Sequence, residues 1–202
     1  DGSIDVVNPI PGCMNAEANN FNPEANVDDG TCIFMALGEQ IISLNQGWNI
    51  FSTYISPSNS AFDAVMTPIV SEITIAKDYA GNSYLPEWEY NSIGDLSNLE
   101  GYLIKVNSNC SITLEGELVA PENTPIPIRE GWSIISYLRN NDANAELILE
   151  PIANDLIIVK NFLGEAFLPQ WNYNGIGNFK PGQGYQVKSS SSTELQYISN
   201  SS

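Results

Sequence analysis

The chain carries one phrase twice. "LPEWEYNSIGDL" occupies Leu85 to Leu96, and 83 residues later "LPQWNYNGIGNF" runs from Leu168 to Phe179, identical at seven of twelve positions. Other anchors repeat in the same order. Gly47-Trp48 returns as Gly131-Trp132, Pro68-Ile69 as Pro151-Ile152, Lys77 as Lys160, Gly81 as Gly164 and Gly101-Tyr102 as Gly184-Tyr185. The offset is 84 at the first anchor and 83 at the others. A fixed period with ordered anchors means one structural unit written twice. Two copies are too few for a solenoid, so they read as tandem small domains or as two halves related by a pseudo-twofold axis.

Each copy reads as mainly β with one short helix. "IISLN", "WNIFSTYI", "SEITIAKDYA" and "YLIKV" alternate or run apolar between turn signals, as do their counterparts. Gly81-Asn82 and Gly164-Glu165 predict hairpin turns. "SAFDAVMTPI" and "NAELILEPI" predict the helices, capped by Ser60 and by Asn144 or Asn141 and limited by Pro68 and Pro151. The expected organisation is an irregular disulfide-closed segment over 1–36, a β-rich repeat over 37–120 and a second over 121–202.

The copies serve as an internal comparison. Trp48 and Trp132 each open an apolar strand after Gly and are expected to plug a core. Trp88 with Tyr90, and Trp171 with Tyr173, stand two apart in what reads as a strand, so each pair shares a face. Such a face can be core cover, the expected role, or a platform for a sugar ring. By the same alternation Glu87 and Glu89 share the strand face opposite Trp88, with no partner wall in view. The second copy replaces them with Gln170 and Asn172, and Asp95 with Asn178, which argues for a solvated face rather than the paired carboxylates of a glycosidase.

Charge and composition exclude other classes. Seven Lys+Arg against 24 Asp+Glu leave a net charge of −17, a surface that repels nucleic acid and anionic headgroups. The absence of His excludes Ser-His and Cys-His nucleophiles and removes the commonest metal ligand, which disfavours zinc and copper sites. No phosphate-binding loop or nucleophile elbow occurs. No apolar run is long enough for a membrane-spanning helix. The first residue is Asp rather than Met, which reads as a processed chain or part of a larger one.

The N-terminal segment "GCMNAEANNFNPEANVDDGTC" is polar and bounded by Cys13 and Cys32, which read as a disulfide of a secreted protein. Cys110 is left over as a buried free thiol. The phrase resembles the short Gly-Cys…Asn-Phe-x-Pro-x-Ala…Asp-Asp-Gly-Thr-Cys segments of secreted bacterial surface proteins grouped with thrombospondin type 3-like repeats. These are frequent in Bacteroidetes-type and marine sequences, some of them viral. The matching residues are Gly12, Cys13, Ala18, Asn20, Phe21, Asn22, Pro23, Ala25, Asp28, Asp29, Gly30 and Cys32; the early Asp of the pattern is missing around Met14 and Asn15. The resemblance implies calcium, for which Asn20, Asn22, Asn26, Asp28 and Asp29 are the candidate oxygen ligands, with Asp1 and Asp5 belonging to the end of a preceding repeat. The alternative role for these side chains is in Asx-turns and caps. Less specifically, the Gly-Trp…Gly-Tyr layout resembles β-rich modules that flank adhesion or enzyme domains in large secreted bacterial proteins.

The expected function is a non-catalytic extracellular or cell-surface module of a larger protein, serving display, spacing or adhesion through a surface glycan or protein partner. The alternatives are a carbohydrate-binding module using Trp88, Tyr90, Trp171 and Tyr173, and a virion-surface fibre or decoration protein.

Overall fold

A computed structural model describes residues 8–34 and 36–200; Asp1 and Asp5 lie outside them. The chain divides into two compact units, Asp1–Leu37 and Gly38–Ser202.

Among its described residues the first unit has almost no regular structure. Two-residue strands β1 (Pro11–Gly12) and β2 (Val27–Asp28) pair in parallel. The Cys13–Cys32 disulfide closes the segment with Cα atoms 4.8 Å apart. Cys13 and Ala18 are the buried apolar residues among those described here, far too few to offset the chain entropy of ordering the segment. Side-chain hydrogen bonds to the backbone do the rest. Asn15, Asn22, Asp28 and Asp29 each accept from the N–H two residues on, at 2.9, 3.0, 3.1 and 3.0 Å. These are successive Asx-turns.

The second unit holds both copies and is mainly β. The first copy runs β3 (Leu37–Leu44), β4 (Gly47–Phe51), β5 (Ile55–Pro57), α1 (Phe62–Met66), β6 (Ile73–Lys77), β7 (Ser83–Leu85), β8 (Tyr90–Asn91), β9 (Tyr102–Val106) and β10 (Cys110–Leu118). The second runs β11 (Ile126–Ile128), β12 (Gly131–Ile135), β13 (Ala143–Asn144), α2 (Ala145–Leu149), β14 (Leu156–Lys160), β15 (Ala166–Leu168), β16 (Tyr173–Asn174), β17 (Asn178–Phe179), β18 (Tyr185–Ser189) and β19 (Thr193–Leu195). Each copy builds an equivalent five-stranded antiparallel sheet, β4-β9-β6-β7-β8 and β12-β18-β14-β15-β16. Smaller sheets, β3-β10-β5 and β11-β19, accompany them.

The helices form where the sequence places them, with one change of cap. Asn144 caps α2 by accepting from the Glu146 N–H at 2.9 Å. In the first copy the cap position falls on Ala61 rather than Ser60, with no side-chain bond. Pro68 and Pro151 each sit second in a following 3₁₀ turn, over Thr67–Glu72 and Glu150–Ile152, within the first turn, where the missing N–H costs nothing. Gly81 and Gly164, at φ 93° and 83°, make the two predicted hairpin turns.

The copies keep separate cores filled differently. Phe51, Phe62, Tyr84 and Tyr102 pack together in the first, with Phe51 stacked on Tyr102 at 5.4 Å. At the positions of Phe51 and Phe62 the second copy has the smaller Ile135 and Ala145. The lost volume returns as Phe179 in place of Leu96, stacked 3.7 Å from Tyr185, and as Tyr197, 5.5 Å from Tyr137. Conserved volume with different shapes keeps one fold on two sequences. Tyr102 and Tyr185 are placed alike. Each phenolic oxygen accepts from the backbone N–H five residues back, Ser97 and Lys180, both at 2.8 Å.

The two copies meet about a pseudo-twofold axis. Gly101 N–H donates to the Ile134 carbonyl at 2.9 Å, and its counterpart Gly184 donates to the Ile50 carbonyl at 3.0 Å. A Cβ on Gly101 would lie 2.9 Å from the Ile135 oxygen and 3.2 Å from the Gly184 Cα; on Gly184, 2.9 Å from the Phe51 oxygen and 3.2 Å from the Gly101 Cα. Equivalent residues thus exchange equivalent contacts, the signature of an isologous joint. The Ser52 hydroxyl adds a bond to the Gln183 carbonyl at 2.7 Å.

Candidate functional site

Leu-Pro-x-Trp-x-Tyr, the phrase both copies share, builds a hairpin tip rather than a continuous strand. Pro86 and Pro169 open 3₁₀ turns, Pro86–Trp88 and Pro169–Trp171, because Pro cannot donate to the ladder and its φ suits the first turn position. Glu89 and Asn172 then sit in the left-handed region at φ 49° and 50° and reverse the chain. Trp88 and Trp171 therefore occupy the tips, 75% and 78% exposed, and Tyr90 and Tyr173 begin the returning strands, each half exposed. The expectation that Trp and Tyr share a strand face fails for this reason, as does the expected core-cover role. Glu87 and Glu89 likewise share no strand face: one lies in the turn, the other at the left-handed position, and both are exposed.

The second correction concerns Trp48 and Trp132. They plug no core and are 47% and 49% exposed. The residues after them, Asn49 and Ser133, point inward instead, so the alternation of the strand carries each indole to the outer sheet face.

Cross-strand register assembles these side chains into two equivalent rows. In the first copy Trp48 lies opposite Lys105, Lys105 opposite Ile75, and Leu85 opposite Tyr90. Ala76 and Tyr84, opposite each other, point to the core, so Ile75 and Leu85 point away from it. In the second copy Trp132 faces Lys188, Lys188 faces Ile158, and Leu168 faces Tyr173. Four strand spacings make each row about 19 Å long.

Lysine collects on the same faces. Of five lysines in a chain of net charge −17, Lys77, Lys105, Lys160 and Lys188 lie there. The Lys160 and Lys188 ammonium groups stand 5.3 and 5.8 Å from the Trp132 ring centre, within cation–π range. Near the pseudo-twofold axis a groove of about 250 Å³ is lined from both copies, by Trp48 and Leu103 on one side and Lys160, Phe162 and Gln186 on the other. Sequence reading kept these tryptophans for the core. The signal against that is a Lys at the same register on the adjacent strand, Lys105 beside Trp48 and Lys188 beside Trp132, which marks a wet face.

The candidate calcium ligands of the first unit are otherwise engaged. Asn20 holds the Ile33 N–H and the Thr31 carbonyl, and Asn26 holds the Ile10 N–H and the Asn8 carbonyl, at 2.6–3.1 Å. Asn22, Asp28 and Asp29 are spent on their Asx-turns. Among the described residues no three His, Cys, Asp or Glu gather. In this structure the five side chains build turns and tie the segment's backbone together.

Asp29 gives a pH test of that role. The Thr31 hydroxyl, and then the Thr31 N–H, hold its carboxyl below the ordinary value of 3.8. A depressed folded-state value contributes stability that is present above the unfolded value and lost as pH falls through the folded one. Urea unfolding of the first unit is expected to weaken in acid below about pH 4, with a shallower loss in Asp29→Asn. Identical acid profiles in the two proteins would discard the role.

Cys110 lies free and half-buried at the start of β10. Burial, with Glu72 adding to it, pushes its thiol up and keeps it protonated. Among the described residues no helix is long and apolar enough to cross a membrane.

These features define a duplicated, mainly-β module with two outward aromatic–lysine faces and a disulfide-closed N-terminal unit. Comparison with family models, with curated proteins and with solved structures finds no match for the chain.

Proposed function

We propose that the protein is a non-catalytic extracellular binding module, part of a larger secreted or surface protein, that grips an extended glycan on its two equivalent faces. The observation that carries this reading is the pseudo-symmetric pair of rows from Trp48 to Tyr90 and Trp132 to Tyr173, with Trp88 and Trp171 at the adjoining tips. Exposing all four tryptophans of a chain costs solvation unless something covers them. Flat rings offer stacking faces to pyranose rings, and interspersed lysines donate to hydroxyl or carboxylate oxygens without the dehydration cost of a closed pocket. An elongated face of this length suits an oligosaccharide rather than one sugar. Two faces in one chain raise avidity when the ligand repeats. The Cys13–Cys32 disulfide supports an oxidising compartment, and adhesion or display is the role that such a bivalent face serves.

A glycan array probed with the intact chain is expected to return polysaccharide binders and no hydrolysis. Trp88→Ala combined with Trp171→Ala is expected to weaken the best binder about 30-fold, the loss of about 2 kcal/mol that an interface tryptophan carries. An array without hits, or undiminished binding by the double variant, would sink the reading; hydrolysis of any bound glycan would remove the non-catalytic half of it.

A further inference from the structure

The junction between the copies holds a second, smaller feature that the aromatic rows do not include. A cavity of about 190 Å³ is lined by Tyr79, Leu99, Glu100, Arg129, Ser133 and Ile134. Two buried polar atoms there have no protein partner, Glu100 Oε2 and Ser133 Oγ. Ser133 is only 6% exposed. The other carboxylate oxygen, Glu100 Oε1, accepts from the Tyr102 hydroxyl at 3.1 Å, which anchors the group. The Arg129 guanidinium stacks on the Tyr79 ring, 5.0 Å from its centre, so its planar donors are pre-oriented.

The pseudo-twofold mate of this cavity is the control within the same chain. It also encloses about 190 Å³ and is lined by Asn45, Asn49, Phe162 and Gln183. These stand where the first cavity has Arg129, Ser133, Tyr79 and Glu100. Among the described residues, none of its lining groups is a buried polar atom without a partner. Asn49 exchanges two hydrogen bonds with the Asn45 backbone, at 2.9 and 2.7 Å, and Gln183 accepts from Tyr185 at 3.3 Å. One copy has therefore closed its cavity chemistry and the other has left a carboxylate oxygen and a hydroxyl open, an expensive arrangement that folding does not need.

We infer that the Glu100–Ser133 cavity binds a single neutral polyhydroxylated ring, such as a monosaccharide unit. The volume of about 190 Å³ admits one six-membered ring. Glu100 Oε2 accepts a hydrogen bond from a ring hydroxyl, Arg129 and Ser133 donate to hydroxyl oxygens, and Leu99 and Ile134 face the apolar edge of the ring. Neutrality follows from the opposed charges: an ammonium ligand meets Arg129 and a carboxylate ligand meets Glu100. The site stands apart from the aromatic rows and survives if they prove to bind nothing.

The test is an amide-shift titration of the isotope-labelled full chain with glucose, galactose, mannose and myo-inositol, and with propylammonium and acetate as charged probes. At least one neutral ring is expected to give saturable shifts at Glu100, Ser133 and Ile134. Ser133→Ala and Glu100→Gln should each weaken it about tenfold or more, the loss of a hydrogen bond to a buried polar group. Because Ser133 Oγ bonds nothing in the protein, Ser133→Ala should not lower the unfolding midpoint. Saturation by a charged probe and by no polyol, undiminished binding in both variants, or shifts confined to the tryptophan rows would each overturn the inference. So would the absence of any saturable shift.

Discussion

Gly101→Ala and Gly184→Ala are each expected to lose about 1–3 kcal/mol of stability, the cost of forcing a methyl into a packed joint. The new Cβ would stand 2.9 Å from a backbone carbonyl oxygen of the other copy, Ile135 or Phe51, and 3.2 Å from the opposing glycine. Backbone on that side cannot step aside as a flexible side chain would. It also carries the hydrogen bonds from Gly101 to Ile134 and from Gly184 to Ile50, so relief of the clash stretches the bonds that join the copies. In thermal unfolding the shift should be a few degrees or more for a unit of this size. The double variant should fall short of the sum, since both methyls contend for one gap. With two separate cores, its unfolding should also broaden toward two transitions. Wild-type stability in either single variant would show that the joint is loose.

Loss of the Cys13–Cys32 disulfide is the second large effect. The bridge spans 19 positions, for which chain-entropy arguments give about 3 kcal/mol. Among the described residues of the first unit only Cys13 and Ala18 are buried apolar ones, so the Asx-turns alone cannot hold it. Cys13→Ser with Cys32→Ser is expected to unfold residues 8–34 while the Gly38–Ser202 unit keeps its transition. Chymotrypsin checks this directly, with rapid cleavage at Phe21 and Phe34 in the variant and slow cleavage in the oxidised protein. Equal protection would assign the order of the segment to something other than the bridge.

The legible and illegible parts of this fold divide on physical lines. The duplication, the strands around Ile73–Lys77 and Leu156–Lys160, the hairpin glycines and the bounding cysteines all rest on local signals: period, β-branching, positive φ and spacing. They were readable because each is decided within a few residues. The caps were half readable. Asn144 caps α2, and the cap of α1 falls on its counterpart Ala61, one residue past Ser60, because Ala61 is bridged to Asp95 as Asn144 is to Asn178.

The tryptophans went the other way. Burial tendencies assign Trp48 and Trp132 to the core, and sequence alone cannot say which face of a strand is covered. That depends on which side the helix and the smaller sheet pack against. Here they cover the side of Phe51, Ala76 and Tyr84, which leaves the indoles outside. Trp88 and Trp171 were misplaced for a different reason: the turn made by Pro86 and Pro169 breaks the two-residue period on which a shared face depends.

What the sequence by itself determined is the inventory: two copies of one mainly-β unit, a disulfide-closed lead segment, an acidic chain without His, and four tryptophans in matched positions. Tertiary structure alone decided that Gly101 meets Gly184 across a pseudo-twofold joint, that the aromatics face water, and that Glu100 and Ser133 come together with Arg129. Composition and local period act over a few residues, whereas these juxtapositions join positions dozens of residues apart, and only packing brings them within reach.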